Sequence, residues 1–326
     1  MKRKSIAIDE FDIADDYKME NRDKLELESR YLKKFQIIHA YAILLVPIPF
    51  TIYAIYHAAV HGITWWEISL FVIMYCVSWI GITVGFHRFY SHKSFKGGKA
   101  TKIMLGIFGS MACQGPLNYW VSNHRRHHQY SDQPGDVHSP YVDKDAKSIS
   151  GWFRSFWHSH VAWTYSHEIT KTTAVAKDLL RDPLIQKLHS SYYIWLALGF
   201  LIPAIVGGLV TGTLAGMFQG LLWGGFVRLF FTYHTTNTIT SLTHMWGTKE
   251  FNSKDESRNN IWLAIPTWGE AWHNNHHTFP YSAIFGLKWY QLDLGGQFIK
   301  LLGLLGMAWD IRTPSEHAIE KYKLRD

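Results

Sequence analysis
Two stretches of the chain are almost free of charge. From Phe35 to His87 the only formal charge is Glu67, and from His189 to Val227 there is none. A helix needs about 20 largely apolar residues to cross hydrocarbon, so each stretch is long enough to cross twice. The segments HAAVHG at 57–62 and GGLVTGT at 207–213 divide them into hairpins, with spans at about 35–57, 65–86, 190–209 and 213–233. Pro47 and Pro49 should kink the first span. A third apolar stretch, 103–121, is interrupted by Gln114, Gly115, Pro116 and Asn118. If it crossed, His87 and His124 would face opposite sides of the membrane, so it reads as a re-entrant or interfacial element. The pattern predicts an all-α polytopic membrane protein: a polar tail over 1–29, then one membrane domain over 30–326 whose remaining segments form a helical cap.

Charge supplies the orientation. Arg30, Lys33 and Lys34 precede the first hairpin, Arg88 follows it, and neither hairpin loop carries a charge, which places both termini in the cytoplasm. Arg228 near the end of the second hairpin supports the same side. The net charge of +7 fits contact with anionic headgroups or an acidic partner. No recognition motif or basic arm points to nucleic acid. Cys76 and Cys113, the only two cysteines, both lie in apolar surroundings and suggest neither a disulfide framework nor a thiolate metal site. The opening MKRK is followed by acidic residues instead of an apolar core, unlike a signal peptide.

Histidines carry the chemistry. HRRHH holds His124, His127 and His128, HNNHH holds His273, His276 and His277, and HRFYSH holds His87 and His92. Residues at i, i+3 and i+4 share a helix face, so each HxxHH triplet is a metal claw aimed at one point. The predicted topology brings all three clusters to one membrane face. Eight imidazoles exceed the six that one octahedral ion accepts, so a shared site implies at least two metals. Imidazole suits iron, zinc and copper alike. No HExxH occurs to mark a zinc hydrolase, whereas two oxidisable metals beside lipid suit O2 activation. In SDQPGDVHSP, Asp132, Asp136 and His138 are candidates to orient ligand rings or to serve as turn residues, with Asp136 preferred. Glu270, three residues before His273, is placed to orient a ring as well.

At these motifs the chain resembles the membrane fatty-acyl desaturases of the delta-9 type, close to the bacterial branch. The three histidine boxes match in order and spacing, and GEAWHNNHHTFPYSA and LLGMAWDIR resemble the family's C-terminal block. The resemblance implies a bacterial inner-membrane enzyme with two iron ions held by nine histidines, the eight above plus His244 in SLTHMWG. It also implies use of O2 and two electrons to form a double bond in an acyl chain lying in a bent tunnel beneath the metals. An acetylenase or a hydroxylase is an alternative within the same chemistry. A membrane metal-binding or transport protein is a remote one. No HPGG-type haem signature is present, so electrons are expected from a separate ferredoxin or cytochrome b5-type protein.

Departures from the family pattern locate what is particular to this chain. Thr240 stands where relatives place an Asn that reaches iron through water. Ser122 and Asn123 replace an Arg-Asp pair that approaches CoA, which leaves CoA, an acyl carrier protein or a lipid as acyl carrier. Trp79 stands where the closed end of the tunnel usually has a small residue, and Tyr75 lies one turn earlier; facing the tunnel, Trp79 would shorten the accepted chain. Arg125 and Arg126 are candidates to contact a carrier phosphate or an acidic electron donor, or to form a solvated basic surface.

Overall fold
The computed structural model describes residues 6–8, 25–141 and 148–325, so most of the expected polar tail lies outside them. Ser29 starts α1 (Arg30–Leu45) by accepting the Leu32 N–H at 3.3 Å. The helix breaks at Val46 and resumes as α2 (Pro47–His61), because Pro47 lacks an N–H and suits the first helical position. After the turn at 62–64, the Glu67 carboxylate accepts the Thr64 N–H at 2.7 Å and starts α3 (Trp65–Trp79). The one charge in this apolar run therefore serves a helix end. α3 continues into a π-helical stretch, Ile80–Ser91.

The third apolar stretch is two helices, α4 (Lys99–Met111) and α5 (Leu117–Tyr130). Between them Cys113 and Gly115 take φ values of 63° and 96°, and Pro116 precedes α5. The chain thereby turns back and sets His124 against His87, with ring centroids 4.3 Å apart. α6 (Ile149–Trp157) lies in the cap and runs into a short π-helical segment, His158–Ala162.

The second hairpin comprises α7 (Tyr192–Thr211), then α8 (Leu214–Gly220), a π-helical stretch Leu221–Val227, α9 (Arg228–Thr240) and the short α10 (Leu242–Met245). Four runs are long and apolar enough to cross a membrane: Arg30–His61, Trp65–Ser91, Tyr192–Thr211 and Leu214–Met245. Apolar side chains such as Ile52, Ile55, Leu209 and Val210 stay exposed along them, as lipid contact requires. Arg228, near the returning end of this hairpin, does not project outward as a free surface cation. It is fully buried, and its guanidinium donates to Met111 O and Gly199 O at 2.9 Å and to Gly224 O at 3.2 Å. Those carbonyls close the end of α4 and tie it to α7.

The cap is completed by α11 (His273–Thr278) and α12 (Leu294–Leu304). Short pairings, Glu26–Leu27 with Ile169–Thr170 and Lys96–Gly97 with Ala308–Trp309, staple distant segments. The main core, including Phe86, Tyr90, Leu105, Leu117, Val121 and Ile299, lies where the π-helical stretch after α3 meets α4, α5 and α12. Arg88, fully buried, pairs with Asp293 at 2.8 Å and donates to Ala283 O at 2.9 Å, fixing the C-terminal block to that stretch.

Gly81 opens the π-helical stretch directly against the α4 backbone. A Cβ there would stand 2.1 Å from the Phe108 carbonyl carbon and 2.2 Å from Gly109 N, and backbone atoms cannot rotate away. Gly81→Ala is expected to destabilise the protein by about 1–3 kcal/mol. The check is the thermal-unfolding midpoint in detergent, and an unchanged midpoint would show that these helices separate freely.

Candidate metal centre
HRFYSH does not follow the α-helical spacing of the other two boxes, since its histidines are five apart. The π-helical stretch resolves this: its i→i+5 bonding stacks residues five apart on one face, and the His92 N–H bonds His87 O at 3.1 Å. The two rings then lie with centroids 4.9 Å apart.

The nine histidines form two groups, each with ligand atoms within 4.8 Å of one another: His87, His92, His124, His128 and His276, and then His127, His244, His273 and His277. In the first group the Nε2–Nε2 separations are 2.9 Å for His87–His276, 2.9 Å for His128–His276 and 2.7 Å for His92–His124. In the second they are 3.0 Å for His244–His273 and 3.4 Å for His127–His277. The expectation that each HxxHH claw aims at a single point is therefore corrected. His124 and His128 enter one group while His127 enters the other, and His273 and His277 are parted from His276 in the same way. On a helix of 3.6 residues per turn, i+4 leads i by about 40° and i+3 lags by about 60°, a spread wide enough to straddle two ions.

Carboxylates set the ring orientation. Nδ1 of His87 meets Glu270, that of His127 meets Asp136 at 2.9 Å, that of His244 meets Asp132 at 2.8 Å, and that of His277 meets Asp255 at 2.5 Å. Burial alone would raise the pKa of these acids. The imidazoles beside them outweigh it and hold all four below the ordinary carboxylate range. Burial, reinforced by neighbouring rings, pushes His92, His124, His128, His273 and His276 far below the ordinary imidazole value, which favours their neutral form. An ionised acid on Nδ1 keeps the ring proton there and leaves Nε2 as a bare lone pair.

This arrangement is a direct test of metal fit. His127 and His277 are both fixed by acids through Nδ1, yet their Nε2 atoms face each other at 3.4 Å. With Nδ1 of each ring turned to its acid, Nε2 is the atom left to meet a metal, and a cation between the two would satisfy both. Nine nitrogen donors in groups of five and four, with carboxylates behind them, fit two imidazole-loving ions.

Asp136 lies against His127, and Glu270 lies against His87 and not against the His273 that follows it in sequence. Asp255 was not anticipated, because only the fold brings it to His277; a lone acid 22 residues upstream carries no local signal. Asp132 was weighed below Asp136, yet it holds a ring of its own. Asn259 is a further unanticipated contributor: its side-chain oxygen accepts the N–H groups of Asn274 and Asn275 at 3.0 and 3.2 Å, satisfying the first turn of α11.

Beside the histidines lies a cavity of about 750 Å³, whose wall includes His87, His124, His127, His273, Trp79, Trp120 and Thr240. Trp79 is fully buried and forms part of this wall. Tyr75 is not in the wall; its hydroxyl donates to Pro266 O at 2.6 Å and its ring packs on Trp79 from behind. The Thr240 hydroxyl donates to Ser159 O at 2.7 Å, which leaves its lone pairs as acceptors toward the cavity.

Arg125 and Arg126 do not form an outward basic surface or a free carrier contact. Both are buried by the packing of α5. Arg125 pairs with Asp178 at 2.7 Å and holds that carboxyl near a pKa of about 2 against the rise burial would cause. Arg126 pairs with Glu26 at 2.6 Å and donates to Gly135 O at 2.7 Å. Their charges clamp the claw helix to the cap.

Comparison with known proteins agrees with this architecture. The family model described as Fatty acid desaturase matches residues 63–297. The chain is 44% identical over 304 residues to a Hex-5-enoyl-[acyl-carrier protein] acetylenase of Moorena producens (strain JHB), covering 91% of this chain and 93% of that protein. It is 37% identical over 260 residues to an sn-1 stearoyl-lipid 9-desaturase of Synechocystis, covering 78% and 75%. It is 33% identical over 299 residues to Delta-9 acyl-lipid desaturase 1 of Arabidopsis thaliana, covering 90% and 89%.

Removing the acid behind a ring should weaken metal binding without emptying the site. Asp255→Asn is expected to lower affinity by about 10- to 100-fold. Iron retained against a chelator titration is the measurement, with the half-exposed Glu256→Gln as control. Equal retention in both variants would remove Asp255 from the metal centre.

Proposed function
Because the chain belongs to the fatty acid desaturase family, we propose that it introduces unsaturation into a short acyl chain carried as a thioester on an acyl carrier protein. It is an integral membrane oxidoreductase, and the nine histidines are its metal ligands in this reading. The net change is CH2–CH2 plus O2, two electrons and two protons, giving CH=CH and two waters. Two irons held by the five- and four-histidine groups would supply the O2-derived oxidant that side chains alone cannot.

The protein's own part is placement. Glu270, Asp132, Asp136 and Asp255 fix ring direction, and the cavity wall sets which carbons lie beneath the histidines. The single observation that carries the short-chain reading is Trp79, fully buried in that wall and backed by Tyr75. An indole at this point leaves less depth beyond the histidines than a small side chain would. Similarity to a relative named for a carrier-bound hexenoyl chain supports both the length and the carrier. It also favours a second reading, in which the same hydrogens are removed from an alkene to give an alkyne. Electrons reach the site from a separate ferredoxin or cytochrome b5-type protein. With both termini in the cytoplasm, the histidines lie at the cytoplasmic face of a bacterial inner membrane.

Matched C6 to C18 chains on carrier protein, CoA and lipid, supplied to the reconstituted enzyme, test the proposal by product mass. Loss of two hydrogens marks the alkene, loss of four the alkyne, and gain of oxygen a hydroxylase. Trp79→Ala is expected to raise kcat/KM for a C10 chain relative to C6 by at least about tenfold. An unchanged chain-length profile would sink the short-chain assignment.

A further inference from the structure
Apart from the histidines, three hydrogen-bond donors in the cavity wall have no partner among the described residues: Asn237 Nδ2 and the Nε1 atoms of Trp79 and Trp163. Asn237 lies on α9 one turn before Thr240, is 3% exposed, and its Nδ2 is unbonded among the described residues. The Tyr233 hydroxyl lies close to this amide as a weak acceptor at most, and it meets Thr164 Oγ1 at 3.4 Å. Trp163, at the end of the π-helical segment His158–Ala162, has an equally unbonded Nε1. Both residues line the cavity that His127 and His273 also line. The two segments are locked together on either side of these donors. Thr240 Oγ1 bonds Ser159 O at 2.7 Å at one end, and the Thr164–Tyr233 hydroxyl pair closes the other.

A buried donor without a partner costs free energy unless a ligand supplies the acceptor. These donors are unlike the apolar side chains of an acyl tunnel, since methylene groups accept no hydrogen bonds, and those of Asn237 and Trp163 lie on segments locked to one another. A carbonyl oxygen does, and its two lone pairs suit two N–H groups. In a six-carbon acyl chain no carbon is more than five bonds from the carbonyl carbon, about 6 Å when extended. Whichever carbons react, the carbonyl of so short a chain is drawn into the cavity close to the histidines. In a long chain it stays near the mouth. We propose that Asn237 Nδ2 and Trp163 Nε1 bind the thioester carbonyl oxygen of a short acyl substrate and so set which carbons lie beneath the metals. This rests on the short-chain reading given above.

The test uses the full-length iron-loaded enzyme without oxygen and a hexanoyl-carrier protein with 13C at the thioester carbonyl. Difference infrared spectra should show the bound carbonyl stretch lowered relative to the same thioester in hydrocarbon solvent. Asn237→Leu and Trp163→Phe should each reverse part of that shift and raise Kd about tenfold. Trp163→Phe keeps an aromatic ring, and unchanged iron content confirms that each variant is folded. A wild-type enzyme that binds hexanoyl-carrier protein, with frequency and Kd unmoved in both variants, overturns the carbonyl site alone. A wild-type enzyme that binds only sixteen- to eighteen-carbon chains overturns the short-chain reading and the carbonyl site together.

Discussion
Nine imidazoles converging in a buried volume are mutually destabilising without cations. Their ring dipoles point lone pairs at one another, and burial disfavours protonation of His92, His124, His128, His273 and His276. The carboxylates Glu270, Asp132, Asp136 and Asp255 deepen this arrangement, since each fixes a proton on Nδ1 and leaves a bare Nε2 facing inward. The fold therefore holds a set of electron-pair donors whose mutual repulsion bound metal would relieve. The acids are unevenly divided: three stand behind the four-histidine group and one behind the five-histidine group. The group with fewer nitrogens thus has more negative charge close behind it.

Much of the remaining structure keeps those donors in place. The π-helical stretch after α3 brings His87 and His92 into register, and the Arg88–Asp293 pair anchors it to the C-terminal block. Arg125 and Arg126 clamp α5 to the cap, and Asn259 satisfies the first turn of α11. Arg228 fastens the turn that returns α5 toward the histidines by bonding the last carbonyl of α4. Buried charge in this protein acts as bracing, with each guanidinium spent on carbonyls or acids inside the fold. The cavity lies between the same braced helices, beside the histidines that their ends carry.

Periodicity and motif spacing made the general plan legible. Charge-free runs located the four long apolar helices, and the break at Gln114–Pro116 marked the returning helix pair. Histidine spacing identified the boxes, and Asp136 and Glu270 were visible as acids close to them in the chain. These are local properties, carried by residues within a turn or two of one another. What the sequence by itself determined was therefore the donor set and the helices that bear it. The tertiary structure alone decided how nine donors divide into five and four, because that division depends on helix phase and on a π-helical stretch with no local signature. It decided equally that Asp255 meets His277, that Arg125 and Arg126 turn inward, and that Trp79 faces the cavity. Each of these depends on the angle at which one helix meets another, and packing between distant segments sets that angle.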